Sequence, residues 1–307
     1  MKTILVATQK PFAPKAVSNI KEICENAGYE FQLLEKYAGQ EDLIKAVENV
    51  NAVIIRSDKI TKEVIAAAKN LEIVVRAGAG YDNVDLAAAS EKGIVVMNTP
   101  GQNSNAVAEL AFGMMVYMAR NQFNGTAGTE LRGKTLGIHA YGNVGRYVAK
   151  IAKGFGMKVY AFDPFVKKKV IKKDKVKPVK SVEKLYAKCQ YISLHIPANE
   201  HTKQSIGYDL LSKMPENAVL VNTARKEVIH EDELLKLMAD RADFTYISDI
   251  APDKKADFES SLEGRYFFTP KKMGAQTAEA NINAGVAAAR QIQNFFEKGD
   301  KTFQVNK

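Results

Sequence analysis

The stretch with the most chemistry in it spans residues 134–164, KTLGIHAYGNVGRYVAKIAKGFGMKVYAFDP. An apolar run leads into Ala140-Tyr141-Gly142-Asn143-Val144-Gly145, a helical stretch follows, and a second apolar run ends at Asp163. That order of strand, tight turn, helix and strand is the setting of a dinucleotide site. Gly142 would let the backbone come close to a pyrophosphate, and Gly145 would let the helix pack on the strand. Asn143 and Val144 open the helix, whose free N–H groups and positive dipole end favour phosphates. Asp163, eighteen residues after Gly145, can accept hydrogen bonds from an adenosine ribose. Its charge would repel a 2′-phosphate, so NAD is expected over NADP. One departure stands out: the first glycine of the pattern is replaced by Ala140. The competing use of such a sequence is a tight turn with no ligand.

Two further clusters set cations beside turns. Arg76 precedes Ala77-Gly78-Ala79-Gly80, a glycine-rich loop whose N–H groups can hold a carboxylate while Arg76 adds charge. Arg56-Ser57-Asp58-Lys59 follows another apolar run, and Arg56 can pair with a phosphate, helped by the Ser57 hydroxyl or Lys59. The alternatives are a plain tight turn and a solvated turn. His139 falls in an expected strand and reads as packed, whereas His201 and His230 fall in expected loops and read as exposed. No H-x-x-x-H pair or carboxylate cluster points to a metal, and none is expected.

These groups need elements to position them. Short apolar strands are expected at 4–7, 31–34, 52–55, 73–75 and 94–96, with amphipathic helices between them, for example at 16–26 and 62–68. Regular alternation of helices with nearly all-apolar strands means parallel sheets covered on both faces. A helix over 105–120 is apolar around much of its circumference, so it belongs in a core or a subunit interface. A second series follows, with strands expected at 135–140, 158–162, 191–194, 218–221, 244–248 and 266–268. A long alanine-rich helix at 277–297 closes the chain. No Gly/Pro/Ser linker separates the two series, so the second is expected to be inserted in the first.

Length and composition agree with two ordinary globular domains: 307 residues, 46% hydrophobic and 26% charged. Cys24 and Cys189 are far apart, which suits a reducing, cytoplasmic setting rather than a disulfide scaffold. The first apolar run is too short for a signal peptide or a membrane span, so no membrane partner is expected. The net charge of +9 attracts anions. Eight lysines lie in residues 167–180, with no aromatic residue among them to stack bases. That run reads as a solvated surface loop, and no nucleic-acid partner is expected.

Further segments line up with a known family. They are Arg76-Ala77-Gly78-Ala79-Gly80-Tyr81-Asp82-Asn83-Val84-Asp85, Asn98-Thr99-Pro100, residues 103–109, Ser193-Leu194-His195-Ile196-Pro197, Val221-Asn222-Thr223-Ala224-Arg225, and Asp249. With these the sequence resembles the D-isomer-specific 2-hydroxyacid dehydrogenases over nearly its whole length, and within them the short members that act on 3-phosphoglycerate. The resemblance implies an α/β fold of two Rossmann-like domains with parallel sheets. An NAD-binding domain at 99–277 would be inserted in a flavodoxin-like substrate domain at 1–98 and 278–307, with the active site in the cleft between them. Arg225 corresponds to the catalytic arginine, which grips the substrate carboxylate and polarises the C2 oxygen. Asp249 corresponds to the acid that orients the nicotinamide carboxamide. His195, Pro197, Thr202, Thr223, Ala224, Gly274 and Ala79 correspond to residues along the cofactor. Arg56, Ser57, Arg76, Ala77, Gly78 and Asn103 correspond to the substrate side.

The sequence departs from the family where proton transfer is expected. Most members carry a histidine in a P-H-x-G-G segment, oriented by a glutamate. Here the segment is Thr269-Pro270-Lys271-Lys272-Met273-Gly274-Ala275. Alignment through Gly274-Ala275 and Glu279 puts Lys272 in the histidine's place, whereas alignment through Pro270 would put Lys271 there. The helix that follows favours Lys272. The glutamate position is Lys254, and the two glycines usual after the catalytic arginine are Lys226 and Glu227. An ammonium needs no carboxylate to fix a tautomer, so the histidine and glutamate are lost together. Arg225 and partial burial are expected to lower the proton affinity of Lys272.

The implied reaction is oxidation of 3-phosphoglycerate to 3-phosphohydroxypyruvate with NAD, a step of serine biosynthesis. The alternatives are reduction of glyoxylate, hydroxypyruvate or another 2-keto acid and, in another class, a non-catalytic NAD-sensing protein. A homodimer through the nucleotide domains is expected, with the 105–120 helix in its interface. The sequence stops at Lys307, and no serine-binding regulatory module is expected after it.

Overall fold

The computed structural model describes residues 1–306; Lys307, the end of the expected substrate domain, lies outside the described residues. The chain divides into two compact units, one of residues 1–103 and 277–307, the other of residues 104–276.

The first unit opens with β1 (Thr3–Thr8), α1 (Pro14–Asn26), β2 (Glu30–Glu35), α2 (Gln40–Ala46) and β3 (Ala52–Ile55). It continues with α3 (Lys62–Ala67), β4 (Ile73–Arg76), α4 (Leu86–Glu91) and β5 (Val95–Asn98). The second unit begins with α5 (Ser104–Ala119), β6 (Thr135–His139), α6 (Asn143–Gly154), β7 (Lys158–Phe162), α7 (Lys168–Lys173) and β8 (Lys177–Pro178). Next come α8 (Val182–Tyr186), β9 (Tyr191–Leu194), α9 (Tyr208–Leu211), β10 (Val219–Asn222) and α10 (Glu231–Asp240). It ends with β11 (Thr245–Ser248), α11 (Lys255–Ser261) and β12 (Tyr266–Phe268), after which α12 (Ala278–Lys298) returns the chain to the first unit.

The first sheet has the order β2-β1-β3-β4-β5, and every pairing is parallel. All residues of β3 and β5 are buried, as a sheet covered on both faces requires. Period-two alternation separates two cores. Ile4, Val6, Ile54 and Val75 face α1 and α12, while Leu5, Val53, Ile55 and Val74 face α2, α3 and α4. Thr277 caps α12 by accepting from Ala280 N, and Gly299 ends it in the left-handed conformation. A Cβ on Gly285 would lie 2.8 Å from Ile20 Cδ1, so glycine there lets α12 approach α1 without displacing that side chain.

The second sheet runs β12-β11-β10-β9-β6-β7-β8, again all parallel. One core lies under α5, α6 and α7, the other under α8 to α11. In each sheet the strand order reverses once, between β1 and β3 in the first and between β6 and β9 in the second. Ligands of such sheets bind beyond the carboxyl ends of the strands at that reversal.

The lysine run is not a loop. Its residues form α7 and β8, with Ile171 and Val176 buried beneath the exposed ammonium groups. The helix holds only two apolar residues, the adjacent Val170 and Ile171, among its lysines, which gives no helical period to read. His230 is half-buried rather than exposed, because its ring caps α10 by accepting from Glu233 N. Among the described residues no helix is long and apolar enough to cross a membrane, and no group of three or more His, Cys, Asp or Glu could hold a metal ion.

Candidate active site

The nucleotide turn sits at the strand-order reversal of the second sheet. Ala140 continues β6 by donating its N–H to the Phe162 carbonyl, then takes φ +77°. Tyr141 N donates to Asp163 Oδ2 at 2.7 Å, and Gly142 caps α6. A Cβ on Gly145 would stand 2.5 Å from the Ala140 carbonyl oxygen, so helix and strand meet at glycine distance. Around Gly142 a Cβ would meet nothing within 4 Å. The turn is open there, and the α6 N-terminus, with Asn143 exposed and Val144 half-buried, faces that opening. This arrangement fits a pyrophosphate.

Asp163 does more than end β7. Its Oδ1 accepts from Phe165 N and Val166 N at 2.8 and 3.0 Å, so the carboxylate ties together the glycine turn and the loop after β7. Beside it lies a cavity of about 460 Å³ whose lining includes Pro164, Val166, Lys167, Lys168 and Lys180. A larger groove of about 590 Å³ runs along α6 and α7, but it includes none of the expected site residues.

Past β9, His195 is held on both ring nitrogens. Ser193 Oγ lies 2.9 Å from Nε2 and Thr223 Oγ1 lies 3.5 Å from Nδ1. Burial pushes the His195 pKa down to about 3, with His139 adding to the effect. The same cause lowers His139 to about 4, against the opposing charge of Asp163. His139 is half-buried against the Tyr186 hydroxyl. Both rings are therefore neutral near pH 7, and His195 is a poor source of a proton. Pro197 is exposed, and its carbonyl accepts from Thr202 Oγ1.

Beyond β10, β11 and β12 the two expected catalytic cations meet. Lys272 Nζ donates to the Ala224 carbonyl at 2.7 Å, and Arg225 Nη1 donates to the same oxygen at 3.0 Å. Both side chains are exposed, so the partial burial expected of Lys272 does not occur. Asp249 is 1% exposed and carries the Lys272 loop. Its Oδ1 accepts from Thr269 Oγ1 and Met273 N at 2.9 and 2.7 Å, and its Oδ2 accepts from Gly274 N at 2.8 Å. A Cβ on Gly274 would stand 2.9 Å from that Oδ2, so the bond needs glycine. The Thr269 hydroxyl also reaches the Lys271 carbonyl, closing the turn. Lys254 pairs with Asp232 in the first turn of α10 and Lys226 with Asp253, so each replacement lysine is paired with a carboxylate.

The first unit presents the other group of cations. Arg76 ends β4, and its Nε donates to the Arg56 carbonyl at 2.9 Å. Its guanidinium folds over Gly78, where a Cβ would lie 1.5 Å from Nη1. Ala77 is buried and Ala79 is exposed. Arg56 is half-buried, donates to the carbonyls of Lys10 and Pro11 and to Asn281 Oδ1, and lies 5.1 Å from the centre of the Phe12 ring. Burial lowers its pKa, opposed by Asp58. Ser57 and Lys59 are exposed. Asn103 lies half-buried in the turn before α5.

Sequence reasoning passed over Tyr141, Ser193, Thr269 and Asn281, and Asn83, whose Nδ2 donates to the carbonyls of Arg56 and Asp58. Ser193 and Thr269 are polar residues at buried strand ends, and that placement was a readable signal. Asn281 meets Arg56 across 225 positions of chain, and no local pattern reports such a contact.

Two parallel-sheet units, one of them with a nucleotide turn and a paired lysine and arginine beyond its strand ends, define the class of two-domain dinucleotide-dependent dehydrogenases. Residues 106–269 match the profile described as "D-isomer specific 2-hydroxyacid dehydrogenase, NAD binding domain". The chain belongs to this family, and its second unit is the NAD-binding domain. A crystal structure of NAD⁺-bound 3-phosphoglycerate dehydrogenase from Entamoeba histolytica is similar over 100% of this chain and 99% of that one, at 49% identity and a TM-score of 0.89. D-3-phosphoglycerate dehydrogenase of Methanocaldococcus jannaschii is 34% identical over 268 residues, 83% of this chain and 51% of that protein. Hydroxypyruvate reductase of Thermotoga maritima is 34% identical over 282 residues, 86% of this chain and 90% of that protein. The chain spans about half the length of the curated phosphoglycerate dehydrogenases it matches.

Proposed function

We propose that this protein is an NAD-dependent D-3-phosphoglycerate dehydrogenase that interconverts 3-phosphoglycerate and 3-phosphohydroxypyruvate. The observation that carries the reading is the convergence of Lys272 and Arg225 on one carbonyl of the NAD-binding domain. NAD, when bound, supplies the acceptor for the C2 hydride. Arg225 grips the substrate carboxylate and stabilises negative charge on the C2 oxygen. In oxidation a neutral Lys272 amine takes the C2 hydroxyl proton; in reduction its ammonium returns one to the same oxygen. The Ala224 carbonyl holds Nζ until a substrate oxygen competes for it. The first unit by itself offers Arg56 for a phosphate and Arg76, with the N–H groups beyond Gly78, for a carboxylate, since those of Ala77 and Gly78 are bonded to the Ile55 and Arg76 carbonyls. The acceptors that hold the Arg56 guanidinium are neutral oxygens, and the nearby Asp58 carboxylate offsets part of its charge, so a phosphate would add a charge-assisted contact of its own.

The likeness to the Thermotoga maritima hydroxypyruvate reductase, which extends over 90% of that protein, favours a second reading: reduction of unphosphorylated 2-keto acids. NADH consumption with 3-phosphohydroxypyruvate, hydroxypyruvate and glyoxylate separates the two. The proposal expects the phosphorylated substrate to have the highest kcat/KM, and preference for either of the others would replace it with the second reading.

We also infer a homodimer through the NAD-binding domains with α5 at the interface. Gly113 supports this. It is exposed in the middle of a 16-residue helix, and a Cβ on it would meet nothing within this chain. A mid-helix glycine costs about 1 kcal/mol against alanine, so a close approach from outside the chain explains its use. Light scattering at micromolar concentration should give twice the chain mass, and a monomer mass would refute it. Both thiols are free and buried, which supports a reducing, cytoplasmic setting.

A further inference from the structure

The nucleotide turn contains a conflict. Where the dinucleotide pattern has its first glycine this chain has Ala140, and Ala140 nevertheless adopts φ +77°. An L residue with a Cβ resists that conformation, whereas glycine enters it freely. Something outside the residue must hold it there.

The next residue is placed to do so. Tyr141 is anchored at both ends. Its N–H donates to Asp163 Oδ2 at 2.7 Å, and its hydroxyl donates to Asp174 Oδ2 at 3.1 Å. Its ring is 1% exposed, packed in the core beneath α5 and α6. Asp174 is fixed in turn. It follows the last residue of α7, its carbonyl accepts from Lys153 Nζ at 2.7 Å, and its Oδ2 lies 3.4 Å from Arg146 Nε. Arg146 stands in the first turn of α6, and its N–H donates to the Gly142 carbonyl. The loop of contacts runs from Tyr141 to Asp174 to Arg146 and back through Gly142. It therefore encloses the three residues, Gly142 to Val144, that face the open space.

We infer that Tyr141 is a positioning residue that holds Ala140 in its left-handed conformation, through the Asp174–Arg146 pair, and so presets the pyrophosphate turn that a glycine would otherwise set by itself. Rotation of Ala140 back to negative φ would swing the Tyr141 N–H off Asp163 and pull a buried hydroxyl off a carboxylate. Those losses oppose the local preference. The inference rests on NAD binding at this turn.

A double-mutant cycle tests it with two readouts that do not need turnover. Tyr141→Phe, Ala140→Gly and the double variant are compared for NADH dissociation constant by fluorescence and for melting temperature without cofactor. Tyr141→Phe keeps the buried ring and removes only the anchor bond. It should weaken NADH about tenfold, the scale of one hydrogen bond to a charged group. In the Ala140→Gly background the same change should cost about threefold or less, and its melting penalty should shrink with it. Equal losses in both backgrounds, or none in either, would overturn the inference, since a purely structural tyrosine is indifferent to residue 140. If Tyr141→Phe does not fold, Asp174→Asn runs the same cycle with a weakened acceptor and the same criteria. Wild-type protein that binds no NADH would sink the cofactor reading instead, and the melting cycle would still decide the anchor.

Discussion

The Arg56 turn of the first unit and the Lys272 turn of the second both set cations beyond the ends of parallel strands, yet they are built in opposite ways. Arg56 is half-buried, held by two carbonyls and an asparagine oxygen, and lies against the Phe12 ring. Lys272 is exposed, and the rigidity lies beneath it, in the buried Asp249 carboxylate that grips the loop at Thr269, Met273 and Gly274. A group that binds a phosphate profits from being fixed, because less entropy is lost on each encounter. A group that carries a proton must reach its partner oxygen and also exchange with water. In the proposed mechanism the clamped loop holds the exposed Lys272 side chain in place beside the Ala224 carbonyl.

The largest expected effect separates chemistry from binding at the Lys272 turn. Lys272→Ala should lower kcat about 10²–10⁴-fold if this residue moves the proton. Lys271→Ala should cost far less, because its side chain is exposed and only its carbonyl closes the turn. Near-normal turnover of Lys272→Ala would move the proton to another group and end the contrast drawn above.

The Arg56 turn should answer with a smaller and differently shaped effect. Arg56→Ala should raise KM for 3-phosphohydroxypyruvate about tenfold or more, with a lesser change for unphosphorylated hydroxypyruvate. Its kcat should move little. Equal rises for both substrates would remove Arg56 from the phosphate and make the turn structural.

The smallest effect tests the neutral interior beside the second unit's strand ends. His139 and His195 have folded pKa values of about 4 and about 3, below the ordinary value near 6.5. The unfolded chain therefore binds protons that the folded chain refuses. The associated stability is full above pH about 6.5 and is lost as pH falls toward those folded values. Between pH 6.5 and 5, urea unfolding should weaken by up to about 1.4 kcal/mol per pH unit for each histidine. His139→Gln should flatten that slope, and an unchanged slope would mean the ring is already protonated in the fold.

Much of the fold was legible in the sequence because parallel sheets write themselves locally. Runs such as residues 52–55 and 191–194 are apolar throughout, as only strands covered on both faces can be. Helices Ser104–Ala119 and Ala278–Lys298 announced themselves by length and composition. Helix Lys168–Lys173 did not, because two apolar residues among lysines carry no usable period. Site residues divide the same way. Residue types and spacing single out Gly142, Gly145, Asp163 and Arg76, each of which is placed by a turn next to it in the chain.

What the sequence could not determine was which groups meet across the chain. It named Lys272 and Arg225 separately, but only the packing of β10, β11 and β12 side by side brings both to the Ala224 carbonyl. It recorded Ala140 as a missing glycine, but only the folded turn gave that residue φ +77° and set the Tyr141 anchor beside it. The physical reason is the range of the forces. Propensity and periodicity act within a few residues and are written in order along the chain. A hydrogen bond acts over about 3 Å between groups whose sequence separation the fold alone can cancel.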